Sequence, residues 1–397
     1  MKKAEKNSQR GFTLIELLVA SSIGLIVILT MTSLFKTGMD ATFTVTQRAE
    51  VQQNMRAAIE MMTQDIGHAG AGLPTGGLQL ATAGVSNYGC YQTTCYLPAH
   101  AYPNNVGTGV ANYMYGILPG FGNGVENGVA IPNASGARND SITAIYQDYA
   151  FPLDNFNFAL NSGTQVTAAL NTCPSACPVA NEPNNILAPG GLNVGDVIFF
   201  YVTQTGTSNG NLNGGNTQVQ TAAIAAELTG ISGTGPWVLT FNVGDPLNMN
   251  QTGGADNLTS AFNAATQAAS TLKVYRLNVV SYFLEVPAAG GTVQNPRLMR
   301  QVNGQQAIPV ADNIINMQFS YDVIDAFTGY LSANLNNPIA SGQSPTTIQK
   351  VNIWLMGESL TSGGKKSQSM YLITSVAARD MSFCNSYSYQ STACAND

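Results

Sequence analysis

Charge is scarce in this sequence of 397 residues: Asp, Glu, Lys and Arg make up 10% of it, against about a quarter in an ordinary soluble protein. Asn, Thr, Ser, Gly and Gln supply the polarity instead, so the surface is solvated by neutral groups. Positive charge is scarcest. Lys2, Lys3, Lys6 and Arg10 against Glu5 give the first eleven residues +3, and a net charge of -6 overall leaves -9 on the remainder. A general nucleic-acid binder needs clustered Lys and Arg to neutralise phosphates, which argues against that class. Histidine is almost missing: His68 lies among glycines and His100 in a Pro-containing stretch. Neither stands beside a nucleophile motif, as a triad hydrolase would require. With no CxxC and two imidazoles, a zinc site is poorly supplied as well. Gly363-Gly364-Lys365-Lys366-Ser367 lacks the glycine spacing of a phosphate loop, and Asp322 with Asp325 lacks the spacing of an EF-hand. Both read as turns. No segment repeats at a fixed period, which sets aside solenoids and propellers. The expectation is a non-enzyme with no catalytic residue, cofactor or metal.

What the chain does have is length enough to bury a sizeable core and six cysteines in three close pairs: Cys90 with Cys95, Cys173 with Cys177, and Cys384 with Cys394. An even count, all beyond the hydrophobic segment described next, suggests disulfides formed in an oxidising compartment. Six cysteines allow 15 pairings, and nearest-neighbour pairing is the working expectation. Such small loops restrain the unfolded chain little, about 2 to 3 kcal/mol each at most.

Residues 12–35 read FTLIELLVASSIGLIVILTMTSLF, with Glu16 as their one charge. As a helix they span about 36 Å, enough to cross a bilayer core. The basic residues before them favour the cytoplasmic side, so the orientation is N-in, with everything after about residue 36 exported. An ordinary signal peptide places its small cleavage-site residue after the apolar run. Here the small residue, Gly11, comes first, and a cut there leaves the anchor attached. Farther along, Val51, Met55, Ile59, Met62 and Ile66 recur at helical spacing and form one apolar stripe, until Gly67, Gly70, Gly72 and Pro74 supply a stop.

The run Gly11-Phe12-Thr13-Leu14-Ile15-Glu16 resembles the prepilin processing motif of type IV pilins and type II secretion pseudopilins. The resemblance implies that a membrane prepilin peptidase cuts between Gly11 and Phe12 and methylates the new amino group of Phe12. It also implies that Glu16 meets the N-terminal amine of a neighbouring subunit as pilins assemble into a helical filament. Glu16 calls for such a partner on physical grounds, because a carboxylate in an apolar helix costs up to about 2.5 to 3.5 kcal/mol at the membrane centre.

After about residue 75 the chain turns rich in Gly, Asn, Thr and Pro, with short β-branched and aromatic runs between turn signals. Strands are expected at 141–146, 197–202, 237–241, 273–286, 298–302, 314–323, 349–356 and 369–377. The last third is similar to PilW-type minor pilins: Arg297-Leu298-Met299-Arg300, a turn at Asn303-Gly304, Ile314-Ile315-Asn316-Met317-Gln318-Phe319-Ser320-Tyr321, Val351-Asn352-Ile353-Trp354-Leu355, and a closing Ser375-Val376-Ala377-Ala378-Arg379-Asp380. The fold implied is α+β and pilin-like, a long helix packed on an antiparallel sheet in a large, loop-rich head. Its parts are a cleaved leader (1–11), a transmembrane and filament-core helix (12–35), an amphipathic continuation (36–72), and an exported β-rich head (73–397) with insertions near 100–135, 150–190 and 203–270. The function implied is that of a minor pilin of a type IV pilus, held in the inner membrane before assembly and then displayed in the filament. The alternatives are a pseudopilin of a type II secretion tip complex, in a periplasmic pseudopilus, or a pilus-displayed adhesin whose surface ligand the sequence does not name.

Overall fold

The computed structural model describes residues 11–378 and Met381, apart from 75, 81–84, 105–111, 124, 127–128, 131–138, 172–184, 207–216, 251–257, 266–269, 286–287, 290–291, 294–295, 325–328 and 360–367. Its first element is one continuous helix of 54 residues, Leu14–Gly67. His68 caps it, and Gly70 and Gly72, both at positive φ, turn the chain away. Everything that follows is mostly antiparallel β-structure, giving an α+β architecture.

The largest sheet has seven strands. At its centre lies Ser270–Glu285, long enough to pair with Val197–Gly206 and Arg297–Val302 in succession, and also with Ser141–Asp148. A second sheet, in the order Leu331–Leu335, Ile314–Ile324, Ile348–Glu358, Ser369–Ala377, is built from the last third of the chain. A third has four strands, Gly230–Ser232, Trp237–Thr240, Gln165–Leu170 and Phe156–Ser162. All eight expected strands are present. The expected insertions are not bare loops, however: they contain Ile117–Gly120, the Phe156–Ser162 and Gln165–Leu170 hairpin, Thr217–Glu227 and a short helix, Leu258–Ala265.

Alternation explains how one strand serves several cores. Side chains along a strand point to opposite faces in turn. In Val197–Gly206, Val197 and Phe199 enter one apolar cluster while Ile198 and Phe200 enter another. In Ser270–Glu285, Val280, Tyr282 and Leu284 join the cluster around the helix, Val279 and Phe283 join a second, and Val274 joins the third. Val197–Val202 reads as a continuous apolar run because both its faces are largely buried.

The long helix uses the expected stripe. Val51, Met55, Met62 and Ile66 are buried and Ile59 packs against the same cluster, with Phe319, Ile353 and Leu355 of the second sheet and Ile142 of the first. Each buried side chain of this size contributes about 1.5 to 3 kcal/mol. The sheet comes close because residue 357 is glycine: a Cβ there would lie 2.6 Å from Val51 Cγ1 and 2.8 Å from Met55 Sδ. This packing holds only the second half of the helix. None of residues 11–50 is buried.

Candidate functional site

The start of the helix is set by Thr13, whose backbone is extended (φ -75°, ψ 151°). Its hydroxyl accepts from the Glu16 backbone N–H at 3.3 Å, while the Thr13 backbone N–H and hydroxyl each donate to the Glu16 carboxylate at 3.0 Å. This is a capping box, in which two groups a helix end leaves unpaired satisfy each other. The carboxylate also lies at the positive end of the helix dipole. Glu16 is therefore held by its own chain. The sequence reading gave Glu16 a role and passed over Thr13, although the spacing Thr-x-x-Glu is itself the signal for the box. Just outside the helix, Phe12 is 88% exposed, and a Cβ on Gly11 would meet nothing within 4 Å. The Gly11–Phe12 bond lies open, next to the first helical turn.

Beyond the cap, the large apolar side chains from Leu14 to Val45 that lie on the helix surface are exposed. This helix is long and apolar enough to cross a membrane, and no part of its apolar window is buried. Hydroxyls inside it turn back on the backbone: Ser22, Thr30 and Thr32 donate to carbonyls one turn earlier at 2.6 to 3.1 Å. Satisfied in this way, they leave no unpaired hydroxyl to face hydrocarbon.

The other end of the helix carries a residue that the sequence reading missed. Asp65 is 5% exposed and accepts from Tyr146 at 2.6 Å, Tyr282 at 2.5 Å and the Arg300 guanidinium at 2.9 and 3.2 Å. Burial, and then the Asp65 charge, push both phenols above their ordinary range. Burial opposes the Arg300 charge, but the bonds to Asp65 outweigh it and raise its proton affinity. The four groups come from the helix and three strands of the seven-stranded sheet, so one carboxylate fastens the helix to the head. Its signal was faint: a lone acid beside the apolar stripe, one residue before Ile66.

Of the cysteines, Cys90 and Cys95 face each other across a tight hairpin and are bonded, with Cα atoms 4.0 Å apart. Cys173, Cys177, Cys384 and Cys394 lie outside the described residues, as do residues 1–10 of the leader and residues 363–367, expected to form a turn. His100 approaches Cys90 and Cys95 within 4.8 Å, but bonded sulfurs offer no thiolate to a metal, and His100 Nδ1 faces the Leu97 carbonyl. His68 stacks obliquely on Tyr146. Asp322 is bound to Lys350 at 2.6 Å and accepts from the Asn334 backbone N–H and the Asn352 amide, so its carboxylate ties strands together; Asp325 lies outside the described residues.

Residues 6–32 match the family model for the prokaryotic N-terminal methylation motif, the prepilin-type motif. No match was found among curated proteins or solved structures. The motif implies processing by a peptidase and assembly with other pilin subunits, and it suggests a structural, non-enzymatic protein. It fits, with the bare apolar helix, membrane anchoring before assembly. The match does not extend into the head, and the likeness to PilW-type subunits is not part of it. Carried on an exposed apolar helix, this motif indicates a type IV pilin- or pseudopilin-like protein.

Proposed function

We propose that the chain is a minor pilin of a type IV pilus, inserted through residues 12–35 after the leader 1–11 is removed, with residues 36–72 continuing the helix into a head formed by 73–397. The observation that carries the reading is the division of the helix: none of residues 11–50 is buried, while Val51, Met55, Met62 and Ile66 are sealed into the head. A bare apolar rod on a large globular body is suited to packing among other such rods, leaving the body displayed. In this reading the peptidase acts between Gly11 and Phe12, the Phe12 amine is methylated, and Glu16 exchanges its bonds to Thr13 for the amine of a neighbouring subunit. Oxidation outside the cytoplasm would close Cys90 with Cys95 and, by nearest-neighbour pairing in the sequence, Cys173 with Cys177 and Cys384 with Cys394, which non-reducing peptide mapping tests.

The test of function is incorporation. Glu16→Ala should leave membrane insertion unchanged and deplete the protein from sheared pili. Equal amounts of wild type and variant in that fraction contradict the assembly role of Glu16. Wild-type protein absent from sheared pili, with secretion lost on its deletion, replaces the pilus reading with the pseudopilin one, which shares the same motif.

A further inference from the structure

A pocket of about 560 Å³ opens on the head between the Cys90–Cys95 hairpin and the turns around residues 193–195, 227–229, 244–246 and 304–306. That volume lies within the range of about 300 to 1,000 Å³ usual for small-molecule sites. The side chains facing it are mostly neutral: Tyr91 and Gln92 from the hairpin, Asn193, and Gln305 with Gln306. Backbone also lines it at Gly195 and Gly244, both at positive φ, and a Cβ on Gly244 would meet nothing within 4 Å.

The wall is braced. Gln301, 1% exposed, donates through its amide to the Cys90 carbonyl at 2.8 Å and the Gln305 carbonyl at 2.9 Å, tying the hairpin to the opposite turn. Its Oε1 has no partner among the described residues, and the side chain lies behind the lining rather than in it. Gln92 takes φ 51°, a left-handed conformation uncommon for its type, and its amide donates to the Tyr91 hydroxyl at 3.0 Å. Such strain persists only where the surroundings impose it.

The lining discriminates among ligand classes. It contains no Lys, Arg or His, so phosphates and acidic peptides find no counter-charge. Its two acids, Glu227 and Asp245, are already engaged: Leu247 N–H donates to Glu227 Oε2, and Met249 and Asn250 N–H donate to the two Asp245 oxygens. A cation would have to break those bonds. A wholly apolar ligand would strip the amides of water and return nothing. A ligand with a ring of neutral hydroxyls and an apolar face answers both halves of the lining, since amides donate and accept side by side and a tyrosine ring covers carbon surface.

We propose that this pocket binds a neutral saccharide, with Tyr91 packed on the pyranose face and the amides of Gln92, Gln305 and Gln306 bonded to its hydroxyls. The site is independent of filament membership and is tested on the full chain, purified in a detergent without a sugar headgroup. The probes are methyl glycosides of glucose, galactose, mannose and N-acetylglucosamine and their disaccharides, followed by saturation-transfer NMR and calorimetry, with inorganic phosphate and calcium chloride as comparisons. At least one saccharide should bind saturably, and Tyr91→Ala and Gln306→Ala should each weaken it about tenfold, the loss of one good contact. Gln306 is exposed, so its variant tests the site even where Tyr91→Ala disturbs the hairpin. The proposal fails if no saccharide in the panel binds, if binding is indifferent to Gln306→Ala, or if only calcium or phosphate binds.

Discussion

Two buried acids carry opposite kinds of work. Asp65 is fully ligated by two phenols and a guanidinium. Removing it strands the Arg300 charge, and breaking a buried pair from one side costs about 3 to 5 kcal/mol. Asp65→Ala should therefore lower the unfolding free energy of the head by that much, read as a lower urea midpoint at unchanged m, whereas an unchanged midpoint would mean the cluster is ornamental. Glu227 is 1% exposed, and burial first, then the Asp245 carboxyl beside it, raise its proton affinity from 4.5 to about 9, against the pull of the Leu247 N–H. Burial first, then the neighbouring Tyr88 and Glu227, raise the Tyr102 phenol as well. The folded chain keeps a proton that the unfolded chain releases between those values. The stability this represents is fully present below about pH 4.5 and is lost as pH rises toward 9, by at most about 1.4 kcal/mol per pH unit for a whole proton. Asp140 and Asp196, raised mainly by burial, act in the same sense. Glu227→Gln keeps an uncharged donor facing Asp245, so urea titrations repeated across this range should show a shallower decline than wild type. Parallel declines would remove Glu227 as a cause.

At the scale of elements, the contact between the helix and the C-terminal sheet depends on a missing side chain. Gly357→Val places methyl groups where Val51 and Met55 already sit, and overpacking of this kind costs about 1 to 3 kcal/mol. A lowered melting temperature that Met55→Ala partly restores would locate the strain in that contact; no loss of stability would show that the sheet yields freely. The elements also show what could be read in advance. Strands such as Val197–Gly206 and Ile348–Glu358 announce themselves by dense β-branched and aromatic residues, because their burial demands it. Gln165–Leu170 was missed because its inward residues are Val166, Ala168 and Leu170 between Gln165, Thr167 and Ala169, a faint alternation that its pairing with Phe156–Ser162 on one side and Trp237–Thr240 on the other supports. Gly11, Phe12 and Glu16 were legible because their spacing relative to an apolar run is local. The Asp65 cluster and the saccharide pocket were not, since they join residues more than 200 positions apart.

The whole molecule is a bare rod sealed at one end into a β-rich body. Ser270–Glu285 contributes to all three apolar clusters, so a force on the rod passes through Asp65 and the helix stripe to a strand that the three clusters share. That construction suits a subunit that must hold its head while its helix is gripped by neighbours. It depends on the rod beginning at Phe12. Mass spectrometry of the mature N-terminus tests this most directly, in cells with and without the prepilin peptidase and with Gly11→Ala. The account predicts N-methylated Phe12 as the first residue in wild type, with the leader retained in the peptidase mutant and largely retained with Gly11→Ala. A mature chain that starts elsewhere, or a leader that persists in wild-type cells, would contradict it.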